Sequence, residues 1–335
     1  MNLWERFSRI IYRTVATPFL KQYRKKSIES VLQKSTTIIN AEIQGEIKQL
    51  LLKSFTKDGG FADRGGKTDI YYTLFGCFVA EALTIEEVFP QLKIYVKKNV
   101  EEAPLNGINL FSAAILYAKL FGVDTNTLRL RKLVRTELEK ANNQEYSNFI
   151  GLLTLYYLED YRNLLKLRKR ITVDNYNEVP CSIAAAEAVI DEIFVIPKVS
   201  PFRSFLRTEF TSSPKAKQEL ERSGNRRSQS RSLSFMDSRL RGNVKNHNCF
   251  LLSFYRGNGG FAALKKAPIE DLLSTAVALY ALRFVDADLK EIKPDCLTFV
   301  DGLYLNGGFR ATELDFDIDI EYTFYGLLAL GALAD

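Results

Sequence analysis

The residues best suited to chemistry lie near the C-terminus, where Asp315, Asp317, Asp319 and Glu321 occupy alternate positions. In extended backbone alternate side chains share one face, so these four carboxylates could hold Mg²⁺ against a diphosphate, with Asp315 and Asp317 as its ligands. The same acids also suit helix capping beside a solvated loop. His247 is the only histidine, which excludes a zinc site built from several His ligands, and any Ser-His-Asp triad would have to use it. It stands in the polar run Asn246-His247-Asn248, which reads as surface. Cys77, Cys181, Cys249 and Cys296 form no close pair, so the simplest reading is a large cytoplasmic protein with free thiols.

An internal repeat positions these residues. Three segments begin with Gly-Gly-Phe, at Gly59-Gly60-Phe61, Gly259-Gly260-Phe261 and Gly307-Gly308-Phe309. Each leads to an Asp-x-x-x-Thr element (Asp69 to Thr73, Asp271 to Thr275, Asp319 to Thr323) and then to a long apolar run. Weaker copies around Ala113, Asn148 and Ser182 complete six slots. Most intervals suit one helical hairpin per repeat. Adjacent glycines predict tight turns, and each Asp predicts a helix N-cap. The runs after Thr are apolar all round and predict buried helices, while amphipathic stretches such as 85–100 and 128–141 predict outer ones. Six such hairpins close naturally into two concentric rings, so the predicted fold class is an all-α α/α toroid.

Outside the repeats the chain divides by composition. Over residues 1–40 the spacing of Trp4, Phe7, Ile11 and Val15, with Arg6, Arg9 and Arg13 between them, predicts a basic amphipathic helix. Such a helix suits either peripheral contact with an anionic membrane or packing across the end of the domain. The toroid is assigned to 41–335, interrupted at about 203–247 by a Ser/Arg-rich segment. Its SGNRRSQSRS stretch cannot bury a core face and predicts disorder. SLSFMDSRLRGN within it resembles the translation of dispersed bacterial repeat elements, which reads as an insertion tolerated at a loop. From Pro214 to Lys245 there are nine Lys/Arg against three Asp/Glu, equal to the chain's whole net charge of +6. The basic balance is therefore local and gives no reason to expect nucleic acid. No apolar run is long enough to span a membrane.

The string GGFADRGGKTDIYYTLFG (59–76) resembles the last repeat of protein prenyltransferase β subunits, as does Asp319-Ile-Glu-Tyr-Thr-Phe-Tyr-Gly326. Lys265 to Thr275 resembles the repeat before it, and squalene–hopene and terpene cyclase toroids share the unit. The resemblance implies a zinc site of Asp, Cys and His. Here those positions hold Asp271, Leu273 and Tyr322, so zinc is not expected. The resemblance further implies that Lys265 and Lys266, with Arg64, Lys67 and Arg310 in comparable loops, hold a diphosphate near helix N-termini. Tyr71, Tyr72, Phe75, Tyr280, Phe324 and Tyr325 would line an isoprenoid funnel, where aromatic faces stabilise allylic cations. Aligned with cyclases, Asp319-Ile-Glu321-Tyr322 falls on the acid motif, with Glu321 as the proton donor.

Three functions follow from that resemblance. The first is binding of an isoprenoid diphosphate or lipid, with zinc-independent transfer assisted by Mg²⁺. The second is a non-catalytic protein-interaction scaffold. The third is a class II cyclase-like activity at Glu321. The β-subunit likeness also leaves room for a helical partner subunit.

Overall fold

Asp69, Asp271 and Asp319 each begin a helix in the computed structural model of the chain, which describes residues 25–122, 124–140, 145–168, 179–193 and 247–334. Each capping Asp is in extended backbone. Asp69 accepts the N–H groups of Tyr71 and Tyr72, Asp271 that of Ser274, and Asp319 that of Tyr322. These bonds satisfy donors that helix geometry leaves without an internal partner.

The Thr four residues later bonds twice. Its hydroxyl donates to the carbonyl of the capping Asp and accepts the N–H of the Gly-Gly-Phe phenylalanine. The second bond is 2.9 Å from Phe61 to Thr73, 2.9 Å from Phe261 to Thr275 and 3.4 Å from Phe309 to Thr323. Short antiparallel pairings then set Phe61 opposite Asp69, Phe261 opposite Asp271 and Phe309 opposite Asp319.

A small residue on the helix completes the unit. A Cβ on Gly76 would lie 2.3 Å from the Phe61 ring, and one on Gly326 would lie 2.5 Å from the Phe309 ring. The middle copy has Ala278 at this position. The first glycine of each turn has positive φ, at 90° for Gly59, 97° for Gly259 and 90° for Gly307. Each also presses on the backbone of a neighbouring helix, at Gln91, Asp295 and Glu46 respectively, so a side chain there meets both strain and a clash.

The described elements run α1 (Ile28–Ser35), α2 (Ala41–Ser54), β1 (Phe61–Ala62), β2 (Thr68–Asp69), α3 (Ile70–Ala82), α4 (Phe89–Glu102), α5 (Gly107–Phe121) and α6 (Thr125–Lys140). They continue with α7 (Glu145–Tyr157), α8 (Tyr161–Arg168), α9 (Cys181–Ile193), α10 (Leu272–Phe284), α11 (Lys293–Gly302), β3 (Tyr304–Leu305), β4 (Gly308–Arg310), β5 (Ile318–Asp319) and α12 (Ile320–Leu333). The fold is all-α, and the described strands are two or three residues long. They form one antiparallel pair, β1–β2, and one three-stranded sheet, β3–β4–β5.

Helices α3, α5, α10 and α12 are buried nearly all round. By contrast α4 buries one stripe, Leu92, Val96 and Val100, at the spacing of an outer helix. Contacts between buried helices follow chain order, α3 with α5, α5 with α7, α7 with α9, α9 with α10 and α10 with α12. Helix α12 then packs on α3, the first of the series. Outer elements join the ends as well, because the Gly307 turn presses on α2 at Glu46 and the Tyr304 hydroxyl bonds Glu46.

Two expectations need adjustment. The stretch expected to be one outer helix from 85 begins as a short 3₁₀ turn, Glu86–Val88, and α4 starts beside Pro90, a residue suited to a helix's first turn. His247, read as a surface residue, is buried in a helical stretch whose Leu251 joins the core, as does Phe254 just after it. The polar neighbours Asn246 and Asn248 misled that reading. The expected amphipathic helix over Trp4 to Val15 and nearly all of the Ser/Arg-rich insertion lie outside the described residues. No helix among the described residues is long and apolar enough to cross a membrane.

The ring-on-glycine contact gives a direct test. Gly326→Ala should destabilise the chain by about 1–3 kcal/mol in urea unfolding, since overpacking forces the Phe309 ring to move. Adding Phe309→Leu should recover part of that loss in a double-mutant cycle. Additive effects would show that the two positions do not compete for space.

Candidate functional site at the meeting of the first and last repeats

Capping and packing place the first turns of α3 and α12 together. Arg64, in the β1–β2 loop, reaches the last repeat and donates from Nε to Asp319 Oδ2 at 2.5 Å and from Nη2 to Asp315 Oδ2 at 3.0 Å. Its guanidinium also lies 5.3 Å from the centroid of the Tyr322 ring. Asp319 is buried, so Arg64 neutralises a carboxylate that simultaneously caps α12. Burial works against the Arg64 charge, but its bonds to Asp319 and Asp315 prevail and raise its pKa. Burial likewise opposes the Asp315 charge, while the Asp317 N–H and Arg64 hold that carboxyl below its ordinary value.

Glu321 does not cap. It is half-buried in the first turn of α12, and its Oε1 accepts the Tyr71 hydroxyl at 2.6 Å. Burial raises its pKa, the Tyr71 bond and Arg64 pull against that, and the Asp319 and Asp69 carboxylates add to it. Glu321 and Asp315 are thus shifted in opposite directions, Glu321 towards the protonated form and Asp315 towards the charged one.

Rings contributed by α3 and α12 extend from Glu321 into the interior. Tyr71 and Phe75 are edge-to-face at 4.8 Å, and Phe75 lies 5.0 Å from Phe324 and 5.7 Å from Tyr325. Phe78 continues the wall, 5.7 Å from Phe324. Tyr71, Tyr72, Tyr322 and Tyr325 are half-buried on helices that are otherwise mostly buried. Burial and neighbouring carboxylates push the Tyr72 and Tyr322 phenols up to about 12, so both stay neutral at ordinary pH.

The basic residues expected to hold a diphosphate do not converge. Arg64 is committed to Asp315 and Asp319. Arg310 donates to the carbonyls of Gly302 and Glu313 and so braces its own loop. The Lys265 ammonium lies 4.4 Å from the Phe250 ring centroid. Lys67 and Lys266 are exposed on loops. Tyr280, expected to line the funnel, lies as far along α10 as Phe78 does along α3, and its hydroxyl donates to the Lys26 carbonyl.

The residues at the zinc positions do not suit zinc. Asp271 Oδ1 accepts the Ser274 N–H and Oδ2 its hydroxyl, Leu273 has no donor atom, and Tyr322 is a neutral phenol. Burial raises the Asp271 pKa against those two bonds, which further disfavours an ionised ligand. For Mg²⁺, Asp315 is already paired with Arg64, which it shares with Asp319, while Asp317 is exposed. Among the described residues no three His, Cys, Asp or Glu side chains stand close enough to share a metal ion.

No protein family, curated protein or solved structure matches the chain. The contacts missed by sequence reasoning are Arg64 with Asp319 and Tyr71 with Glu321, each joining residues some 250 positions apart. The signal available for them was the equivalence of the first and last repeats.

The raised Glu321 pKa has a consequence for stability. The folded chain holds this proton more tightly than the unfolded chain, so the group favours folding at low pH and loses that effect as pH rises through its folded pKa. Glu321→Gln should therefore gain stability relative to the parent as pH rises above about 4. Urea midpoints measured across pH would check this, and a constant or shrinking difference would contradict it.

Proposed function

We propose that the chain binds an isoprenoid or similarly apolar lipid along the aromatic wall of α3 and α12, on a closed ring of helical hairpins of the prenyltransferase and terpene cyclase kind. The observation that carries this reading is the pairing of that wall with Glu321, an acid of raised proton affinity at its mouth. Apolar ligands bind where rings supply most of the contact and a few polar groups fix orientation. The chemistry open to such a site is protonation of an alkene. The Glu321 O–H bond breaks, a C–H bond forms from the alkene π pair, and the resulting carbocation faces the surrounding rings. The resulting carboxylate can later take a proton back.

Transfer from a diphosphate is less well supported, because Arg64, Arg310 and Lys265 are each engaged elsewhere. The same observation favours a non-catalytic scaffold as the second reading, since Asp69, Asp271 and Asp319 are all spent on capping. Arg64 and its two aspartates fasten the seam in either case.

Equilibrium dialysis of the purified chain against radiolabelled farnesol and farnesyl diphosphate separates these readings. The proposal expects both to bind within about tenfold of each other, and Phe75→Ala to weaken both by about tenfold or more. Diphosphate binding alone, abolished by Arg64→Ala, would favour transfer. Binding of neither would favour the scaffold.

A further inference from the structure

Helix α1 stands apart from the hairpins. It is eight residues long, capped by Ser27, and turns Val31 and Leu32 inward. Its partners all lie in the last turns of buried helices. Glu29 accepts from Lys119 of α5 at 2.9 Å and from the hydroxyl of Tyr157, the last residue of α7, at 2.7 Å. Lys119 also pairs with Glu81 of α3. Just ahead of α1, Lys26 donates to the carbonyl of Phe284, the last residue of α10, and pairs with Asp286. Along α12, Gly331 approaches the Val31 carbonyl so closely that a Cβ would lie 1.9 Å from it. Five buried helices thus bring their C-terminal ends to α1 or to Lys26 just ahead of it.

Electrostatics makes Lys119 the centre of the arrangement. Helix C-termini carry partial negative charge, so Glu29 and Glu81 are disfavoured there without a cation. Burial works against both members of the Glu29–Lys119 pair, yet each keeps its charge because of the other. Lys119 also lies 4.7 Å from the centroid of Phe78, the inner end of the aromatic wall. Cys77, fully buried beside it, feels the charges of Lys119, Glu81 and Glu29.

We propose that α1 is a stopper. It closes the C-terminal end of the buried helices, is caught there by the Glu29–Lys119 pair, and opens separately from the rest of the fold. Access to the aromatic wall is then from the Glu321 end while α1 is seated. The physical ground is unequal attachment. Helix α12 is covered nearly all round by neighbouring helices, whereas α1 is two turns long, buries Val31, Leu32 and Ser35 and leaves Gln33 exposed. This inference does not depend on what the interior binds.

Hydrogen exchange on the full chain tests it. Amides of α1 should exchange faster than those of α12 under native conditions, and Glu29→Lys should accelerate α1 by roughly tenfold or more while α12 is unchanged. In a background of Cys181→Ala, Cys249→Ala and Cys296→Ala, alkylation of Cys77 should accelerate in parallel. If Glu29→Lys fails to fold, the comparison of α1 with α12 in the parent chain still decides. Exchange of α1 only at the rate of α12, or equal acceleration of Cys77 by Arg64→Ala at the opposite end, would overturn the proposal.

Discussion

A phenylalanine ring lying on a helix face that has no side chain is the contact from which the rest of the arrangement follows. Phe61 on Gly76 and Phe309 on Gly326 fix the height of each turn against its helix. That height lets Thr73 and Thr323 accept the phenylalanine N–H, and it sets Asp69 and Asp319 at the helix starts. Once the starts of α3 and α12 are fixed alike and the helices pack together, Tyr71 meets Glu321 and Arg64 meets Asp319. The candidate site is therefore a product of repeat geometry. Of the alternating acids Asp319 caps a helix, while Glu321 meets Tyr71 and is pushed towards its protonated form by burial.

The two ends of the buried helices differ in charge as helix dipoles require. Capping aspartates gather at the N-terminal end, where carboxylates are favoured, and Arg64 offsets their accumulation where first and last repeats meet. At the C-terminal end Lys26 bonds a terminal carbonyl and Lys119 lies between two glutamates. Rings of α3 and α12 occupy the space between. The interior is thus apolar in the middle and charged at both ends.

Much of the local structure was legible because it depends on neighbours in the chain. Double glycine, a capping Asp and a Thr four residues on specify a turn and a helix start without further information. Composition also separated the apolar inner runs from one-sided outer helices such as α4. What escaped were contacts set by closure. Arg64 looked like a free loop cation because Asp319 is 255 positions away. Tyr280, at the depth of Phe78, bonds the Lys26 carbonyl, a partner some 250 positions away. Lys265 looked like a diphosphate ligand, and its cation–π partner Phe250 belongs to a stretch that follows the insertion. The buried His247 was hidden by its polar neighbours.

The account stands on the first and last repeats being neighbours, and a distance between them tests that most directly. Lys67 and Asp317 are exposed loop residues close in sequence to the paired Arg64 and Asp315. Spin labels on cysteines at these two positions, with the native cysteines replaced, can be read by pulsed electron resonance. A closed arrangement predicts a single population below about 30 Å, the reach of the intervening chain. An open row of hairpins, with helix axes about 8–10 Å apart at each of five steps, would give roughly 40–50 Å and contradict the account.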